Sequence, residues 1–199
     1  SGGDLAVTPD GSAVWGNFGT TIKAWELDPD AGRIRIPAEG SRTLAVFAPD
    51  AGLVTAEGDG RVSILQDGTW ETSVTLGKHA RRVRAVAISP TEPLAASASV
   101  DGVVVLWNLA QRREVARWPG HRMITNDGLR FDPTGRRLVV PSGDNTFKVL
   151  SIPDGEVLAT LPSDRHEVLS AAFSPDGGRI ATTTRRGPIR IHDAQTGER

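Results

Sequence analysis

The sequence predicts an all-β protein assembled from repeated four-stranded antiparallel sheets. Three observations carry that prediction. One phrase, an apolar run followed by a Pro-centred turn and a second run, recurs five times. It reads LAVTPDG from Leu5, LAVFAPDAG from Leu44, AVAISPTEP from Ala85, LRFDPTG from Leu129 and AAFSPDGG from Ala171. Its prolines, Pro9, Pro49, Pro90, Pro133 and Pro175, stand 40, 41, 43 and 42 residues apart. Between the turns the apolar residues alternate as strands require, and helical periodicity is absent. A fixed period of this size marks a repeat architecture in which each unit buries its apolar faces against its neighbours.

The third unit shows the elements most plainly. Val83 to Ser89 (VRAVAIS) alternates as a first strand, and Pro90-Thr91-Glu92-Pro93 ends it. Leu94 to Ser99 forms a second strand, Asp101-Gly102 a tight hairpin turn, and Val103 to Trp107 a third strand. After a turn at Asn108 to Arg112, Glu114 to Trp118 makes a fourth, stopped by Pro119-Gly120. Short strands joined by turn residues make one antiparallel meander. Asp-Gly is the strongest hairpin signal in the chain and predicts a type I′ turn, with positive φ at both central residues. A small sheet that is apolar on both faces is not stable alone. It must lie between similar sheets, and radial repetition achieves this.

Composition narrows the possibilities. A chain of 199 residues can bury one substantial core, and a net charge of −1 provides no global pull toward nucleic acid or an anionic membrane. The absence of cysteine excludes disulfides, thiolate metal sites and a cysteine nucleophile. No stretch reaches the roughly 18–20 apolar residues that span a bilayer. The opening SGGDLAV lacks the pattern of a signal peptide, so a soluble cytoplasmic module is expected.

With these elements in place, the chain resembles the WD-repeat β-propeller family, in the form of bacterial WD-repeat arrays, over essentially all 199 residues. LAASASVDGVVVLWNL from Leu94 follows the family's strand–turn–strand phrase, with Trp107-Asn108 in the Trp-Asp slot. Gly77-Lys78-His79 and Gly120-His121 sit where the family places its Gly-His pair. The other Trp-Asp slots read Trp25-Glu26, Leu65-Gln66, Leu150-Ser151 and His192-Asp193. The resemblance implies about five blades, with approximate repeats 1–40, 41–81, 82–124, 125–166 and 167–199. It also implies a buried tetrad of His, Ser or Thr, Asp and Trp. In the third repeat these are His79, Ser97, Asp101 and Trp107. The second repeat keeps Thr55 and Asp59, and the fourth keeps His121 and Asp144. In the first, Trp25 stands with Trp15 and Gly19 in the Ser and Asp slots; in the fifth, Thr182 stands with Arg186 and His192.

Family propellers most often close with seven blades. Five repeats with an incomplete last unit therefore predict a segment of a larger ring, completed by the same chain or another. Unclosed end sheets would expose apolar faces and strand edges, so self-association is expected.

No catalytic constellation emerges. Three of the four histidines fall on tetrad or Trp slots, and His166 lies on a connecting loop. Asp28 to Gly32 faintly resembles the start of a calcium loop but lacks the downstream bidentate Glu. Asp10, Asp50, Asp132 and Asp176 read as turn formers beside the repeat prolines. There is no HExxH, no Gly-x-Ser-x-Gly and no phosphate-binding GxxxxGK[ST], and no cofactor or metal is expected.

Arginines remain. Lys78, Arg81, Arg82 and Arg84 share one inter-repeat loop and strand start, and Arg185-Arg186 occupy a hairpin tip. The family layout puts both groups on the narrower face and Arg112-Arg113 and Arg136-Arg137 on the opposite one. A solvated surface is the plain reading. The sharper one is a docking patch for an acidic peptide, a phosphopeptide or a nucleic-acid backbone. With few aromatics nearby, base stacking is unsupported, so nucleic acid is the weakest of these. Phe18 and Met123 could add apolar anchors on that face.

The resemblance thus implies a non-catalytic platform for protein or peptide partners. Alternatives are a sensor or autoinhibitory module of a larger signalling ATPase, kinase or transcription regulator, and a propeller hydrolase. If Trp107 is the buried anchor of the third repeat, Trp107→Ala costs about 3–5 kcal/mol. A thermal melt checks this, and an unchanged midpoint would contradict the assignment.

Overall fold

The computed structural model of the protein describes residues 5–7, 13–18, 21–26, 42–48, 52–65, 73–119, 128–163 and 167–199. Every regular element among them is a β-strand, and the strands form five antiparallel sheets in chain order. Sheet 1 holds β1 (Leu5–Val7), β2 (Ala13–Phe18) and β3 (Thr21–Glu26). Sheet 2 holds β4 (Arg42–Ala48), β5 (Gly52–Glu57), β6 (Arg61–Leu65) and β7 (Ser73–Lys78). Sheet 3 holds β8 (Val83–Ile88), β9 (Leu94–Ser99), β10 (Val104–Asn108) and β11 (Arg113–Trp118). Sheet 4 holds β12 (Arg130–Phe131), β13 (Arg137–Ser142), β14 (Thr146–Ser151) and β15 (Val157–Pro162). Sheet 5 holds β16 (Val168–Phe173), β17 (Arg179–Thr184) and β18 (Arg190–Asp193). Each strand pairs with the next in sequence, so every sheet is a meander of local hairpins.

Sheet 3 shows why the sheets stack. On one face Val86, Ala95, Val105 and Trp107 pack with Val54, Val62, Ile64 and Leu76 of sheet 2. On the other, Ala87, Ala96, Val104 and Leu106 pack with Phe131, Leu138, Val140 and Leu150 of sheet 4. A third cluster joins Val139, Phe147 and Leu161 of sheet 4 to Val168, Ala171 and Ile180 of sheet 5. From sheet 2 to sheet 5 the core is therefore a series of interfaces, one per pair of neighbouring sheets. The first strands of sheets 2 to 5 also meet around one cavity of about 530 Å³, lined by Val46, Val86, Ile88, Phe131 and Phe173. Four sheets sharing one central space are arranged about an axis, as blades of a propeller. Radial blades diverge outward, so alanines suffice in β8 and β9, and Trp107 fills the wider gap in β10. The outermost strand β11 alternates exposed and half-buried residues because one face packs Ala116 and Trp118 against the cluster shared with sheet 4 while the other meets solvent.

The hairpin turns correct one expectation. At Asp101-Gly102 only Gly102 has positive φ, at 79°, and Gly102 N–H donates to Ser99 O at 3.0 Å. This is a type I turn closed by a left-handed glycine, not a type I′ turn. The Asp101 carboxylate stabilises it by accepting from Val103 N–H at 3.0 Å. Sheet 2 repeats the design with Gly60, and sheet 4 uses Asn145, at φ 64°, one of the few side chains that tolerate this region.

A second correction concerns the prolines' neighbours. Asp132 does shape its turn, accepting from Arg136 and Arg137 N–H at 2.9 and 3.0 Å. It is also buried, and it holds the Arg137 guanidinium at 3.1 Å. Arg137 is not a solvated surface residue. It crosses to sheet 5, donating to Gly177 O at 2.6 Å, and lies 5.3 Å from the Phe173 ring centre. Burial works to raise the Asp132 pKa, but hydrogen bonds from Arg137 and Thr134 outweigh it and hold the carboxyl below the usual range. Sheets 3 and 4 are also stitched at their turns, where Thr91 Oγ1 donates to Thr134 O at 3.0 Å. Arg137→Met should cost about 3 kcal/mol, because it leaves the Asp132 carboxylate buried and unpaired. Adding Asp132→Asn should recover part of the loss, and denaturant melts of the single and double variants measure both.

Candidate functional site

His79 follows β7, Ser97 sits in β9 and Trp107 in β10, and the meander brings all three together. Trp107 Nε1–H donates to Ser97 Oγ at 2.8 Å, and Ser97 Oγ lies 2.7 Å from His79 Nε2. The Asp101 carboxylate faces the other ring nitrogen and favours the proton there, so the serine hydroxyl, which accepts from the indole, donates to Nε2. The imidazole proton is therefore on Nδ1. Nδ1 faces Asp101 Oδ1 at 3.8 Å, too long for a hydrogen bond, and makes an electrostatic contact only. The fourth link expected of the tetrad is thus open. Asp101 instead accepts from Ala80 N–H at 3.0 Å. All three linked residues are buried, and burial pushes the His79 pKa below its ordinary value, with Asp101 acting against the shift.

The other sheets carry reduced versions. Thr55 Oγ1 donates to Ser63 O at 3.4 Å, while Asp59 takes the Lys78 ammonium at 3.0 Å. Asp144 accepts from Thr146 N–H at 3.1 Å. In sheet 5, His192 fills the tryptophan slot and still meets Thr182 Oγ1, at 3.2 Å. His121, His166, Met123 and the Asp28 to Gly32 segment lie outside the described residues.

The loop from β7 to β8 carries Arg81 and Arg82, both exposed. Its backbone is clamped. Ser99 Oγ donates to Arg81 O and Arg82 O at 3.0 Å each, and Val100 N–H reaches Arg82 O at 3.0 Å. From sheet 2, Gly60 O accepts from His79 N–H at 2.9 Å. A Cβ at Gly60 would lie 2.5 Å from His79 O and 2.6 Å from Arg81 O, so only glycine allows this approach. Arg185 is ion-paired to Glu167 at 2.8 Å, and Arg186 is exposed with no ion pair among the described residues. Phe18 ends β2 opposite Thr21, at the corresponding hairpin. In a meander these tips and loops all lie at one end of their sheets.

Arg84 was legible only as a member of the basic cluster. It occupies the bulge between Val83 and Ala85 in β8, half-buried, with its Nε enclosed and lacking a hydrogen-bond partner. The signal for it is a charged residue set into an otherwise apolar strand.

Comparisons with known proteins agree with this geometry. The WD domain, G-beta repeat family matches residues 70–108, from the outer strand of sheet 2 through the third strand of sheet 3. Pre-mRNA-processing factor 19 of Mus musculus is 27% identical over 143 residues, covering 71% of this chain and 28% of that protein. Pre-mRNA-processing factor 19 homolog 2 of Arabidopsis thaliana is 28% identical over 156 residues, covering 76% and 30%. The chain therefore spans less than a third of the length of these curated relatives. The crystal structure of the computationally designed Ika8 protein shares the fold, with a TM-score of 0.79 and 24% identity over 98% of this chain and 58% of that one. The family match over residues 70–108, the stacked four-stranded blades and the buried Ser–His–Trp linkage together support a WD-repeat architecture.

The lowered His79 pKa has a defined consequence for stability. The unfolded chain binds the proton more readily, so the stabilisation is intact above about pH 6.5 and is lost as pH falls through the folded value. Asp59, held below the usual carboxylate range by its hydrogen bond from Lys78, and Asp132 respond only further down, below about pH 4. Melting temperatures between about pH 7 and 5 should fall for the native chain and fall less for His79→Gln. Parallel slopes for the two proteins would contradict the assignment.

Proposed function

We propose that the chain is a non-catalytic scaffold for protein–protein interaction, presenting partners with rigid loops at one end of its blades. The observation that carries this reading is the clamped β7–β8 loop. Its backbone is tied to hairpin tips of two sheets, and its arginine side chains point away from those ties into solvent. A rigid loop loses little entropy on binding, which suits it to contact. On this reading Phe18, Arg81, Arg82, Met123, Arg185 and Arg186 form the partner surface, and the partner is a protein or peptide. A cytoplasmic location and self-association through the end sheets accompany the proposal.

A second reading is that the blades serve as the sensor or autoinhibitory module of a longer protein. The short share of the relatives that is matched, 28% and 30%, favours it, since the matched region there is one part of a longer chain.

Charge reversal tests the surface directly. Arg82→Glu with Arg186→Glu should abolish most capture of partners by the immobilised chain while leaving its melting temperature within about 1 °C, since exposed charges contribute little to stability. Equal capture by native and reversed chains would remove this face from the proposal.

A further inference from the structure

We infer that Arg84 anchors a binding site for a carboxylate side chain of a protein partner, beside the β7–β8 loop. This rests on the scaffold reading and names the partner chemistry that the reading leaves open. The first support is an uncompensated charge. Arginine stays ionised in proteins, and a charged donor removed from water without a partner is costly. Other arginines of the chain are paired: Arg137 with Asp132, Arg117 with Glu114 and Arg185 with Glu167. Arg84 makes no ion pair or side-chain hydrogen bond among the described residues, although its Nε is shut off from solvent. The rest of its guanidinium stays reachable, because the side chain is only half-buried.

The second support is geometric. A β-bulge turns a side chain out of the regular alternation, and Arg84 occupies one at the start of β8. Two residues before it begins the clamped loop with exposed Arg81 and Arg82, whose backbone the Ser99 hydroxyl and Val100 amide hold in place. A half-buried guanidinium flanked by two exposed ones suits an anion carried on an extended segment.

The third support selects among anions. Carboxylates stand close to the loop: Asp101 bonds Ala80 N–H at 3.0 Å, and Asp59 bonds Lys78, whose neighbour is His79. A nucleic-acid backbone or a phosphate dianion would press further negative charge against them. A single carboxylate brings one charge and matches the planar guanidinium with two parallel hydrogen bonds. The partner is therefore an acidic segment of a protein, not a polyanion.

NMR of the ¹⁵N-labelled chain tests this through the arginine Nε–Hε signals. The probe is a short synthetic peptide carrying Glu-Glu between leucines, with its Gln-Gln analogue and inorganic phosphate as comparison ligands. The expected result is a saturable shift of the Arg84 signal by the Glu peptide alone. Affinity should be at least about tenfold weaker in Arg84→Gln, the loss typical of a hydrogen bond to a charged group. Should that variant melt early, Arg84→Lys keeps the charge without the fork and should bind weakly as well. No saturable shift, an equal response to the Gln peptide, or tighter binding of phosphate would overturn the inference. If partner capture still depends on Arg82 and Arg186 in that event, the scaffold reading stands and only the Arg84 site falls.

Discussion

Burial between neighbouring sheets is the interaction on which the rest of this protein depends. Sheet 3 is apolar on both faces, so it has no interior of its own. Sheet 3 gains one by pressing Trp107 and Val105 toward sheet 2, and Leu106 and Val104 toward sheet 4. A buried aliphatic side chain of this kind contributes about 1.5–3 kcal/mol, and the repeated interface multiplies that gain along the chain. The same constraint sets side-chain size by position. In sheet 3 the strands nearer the axis carry alanines, and β10 further out carries Leu106 and Trp107.

Polar stitching then fixes the blades against one another, and each junction solves the problem differently. In sheet 3, Ser97 links the Trp107 indole to the His79 imidazole, tying β9 and β10 to the incoming loop. Between sheets 4 and 5 the tie is the Asp132–Arg137 pair reaching Gly177. In sheet 5, Thr182 and His192 replace the serine and tryptophan with a single bond. Buried polar groups need partners more than they need any particular partner. That tolerance explains how a repeat can lose most of its signature residues and keep its blade. It also links stability to function, because the groups that stitch the sheets hold the loops where a partner would meet them.

The period of the prolines, the alternation of the strands and the Trp107 slot were enough to read the architecture. Local rules govern each of them: strand alternation has period two, and turns need proline, glycine or aspartate at set places. Ser97, His79 and Trp107 could be grouped because the resemblance to WD repeats places them in the slots of one buried tetrad. The Asp101–Gly102 turn was misread in type, since the two residues suit both a primed turn and a type I turn with a glycine bulge. The flanking strands choose between them. Arg137 was misplaced for a different reason. Its partners Gly177 and Phe173 lie some forty residues away in the next sheet, and no local pattern reports a contact between blades.

By itself the amino-acid sequence determined the class of fold and the blade repeat, because these follow from near-neighbour chemistry repeated at a constant interval, and its resemblance to WD repeats implied the residues of the buried linkage. Only the tertiary structure decided which charges are buried, which are paired and which are left open. Asp132 and Arg137 became a hidden clamp and Arg84 an unsatisfied cation for one reason. The dielectric surroundings of a charge depend on which distant segments pack over it, and stacking sheets brings those segments together.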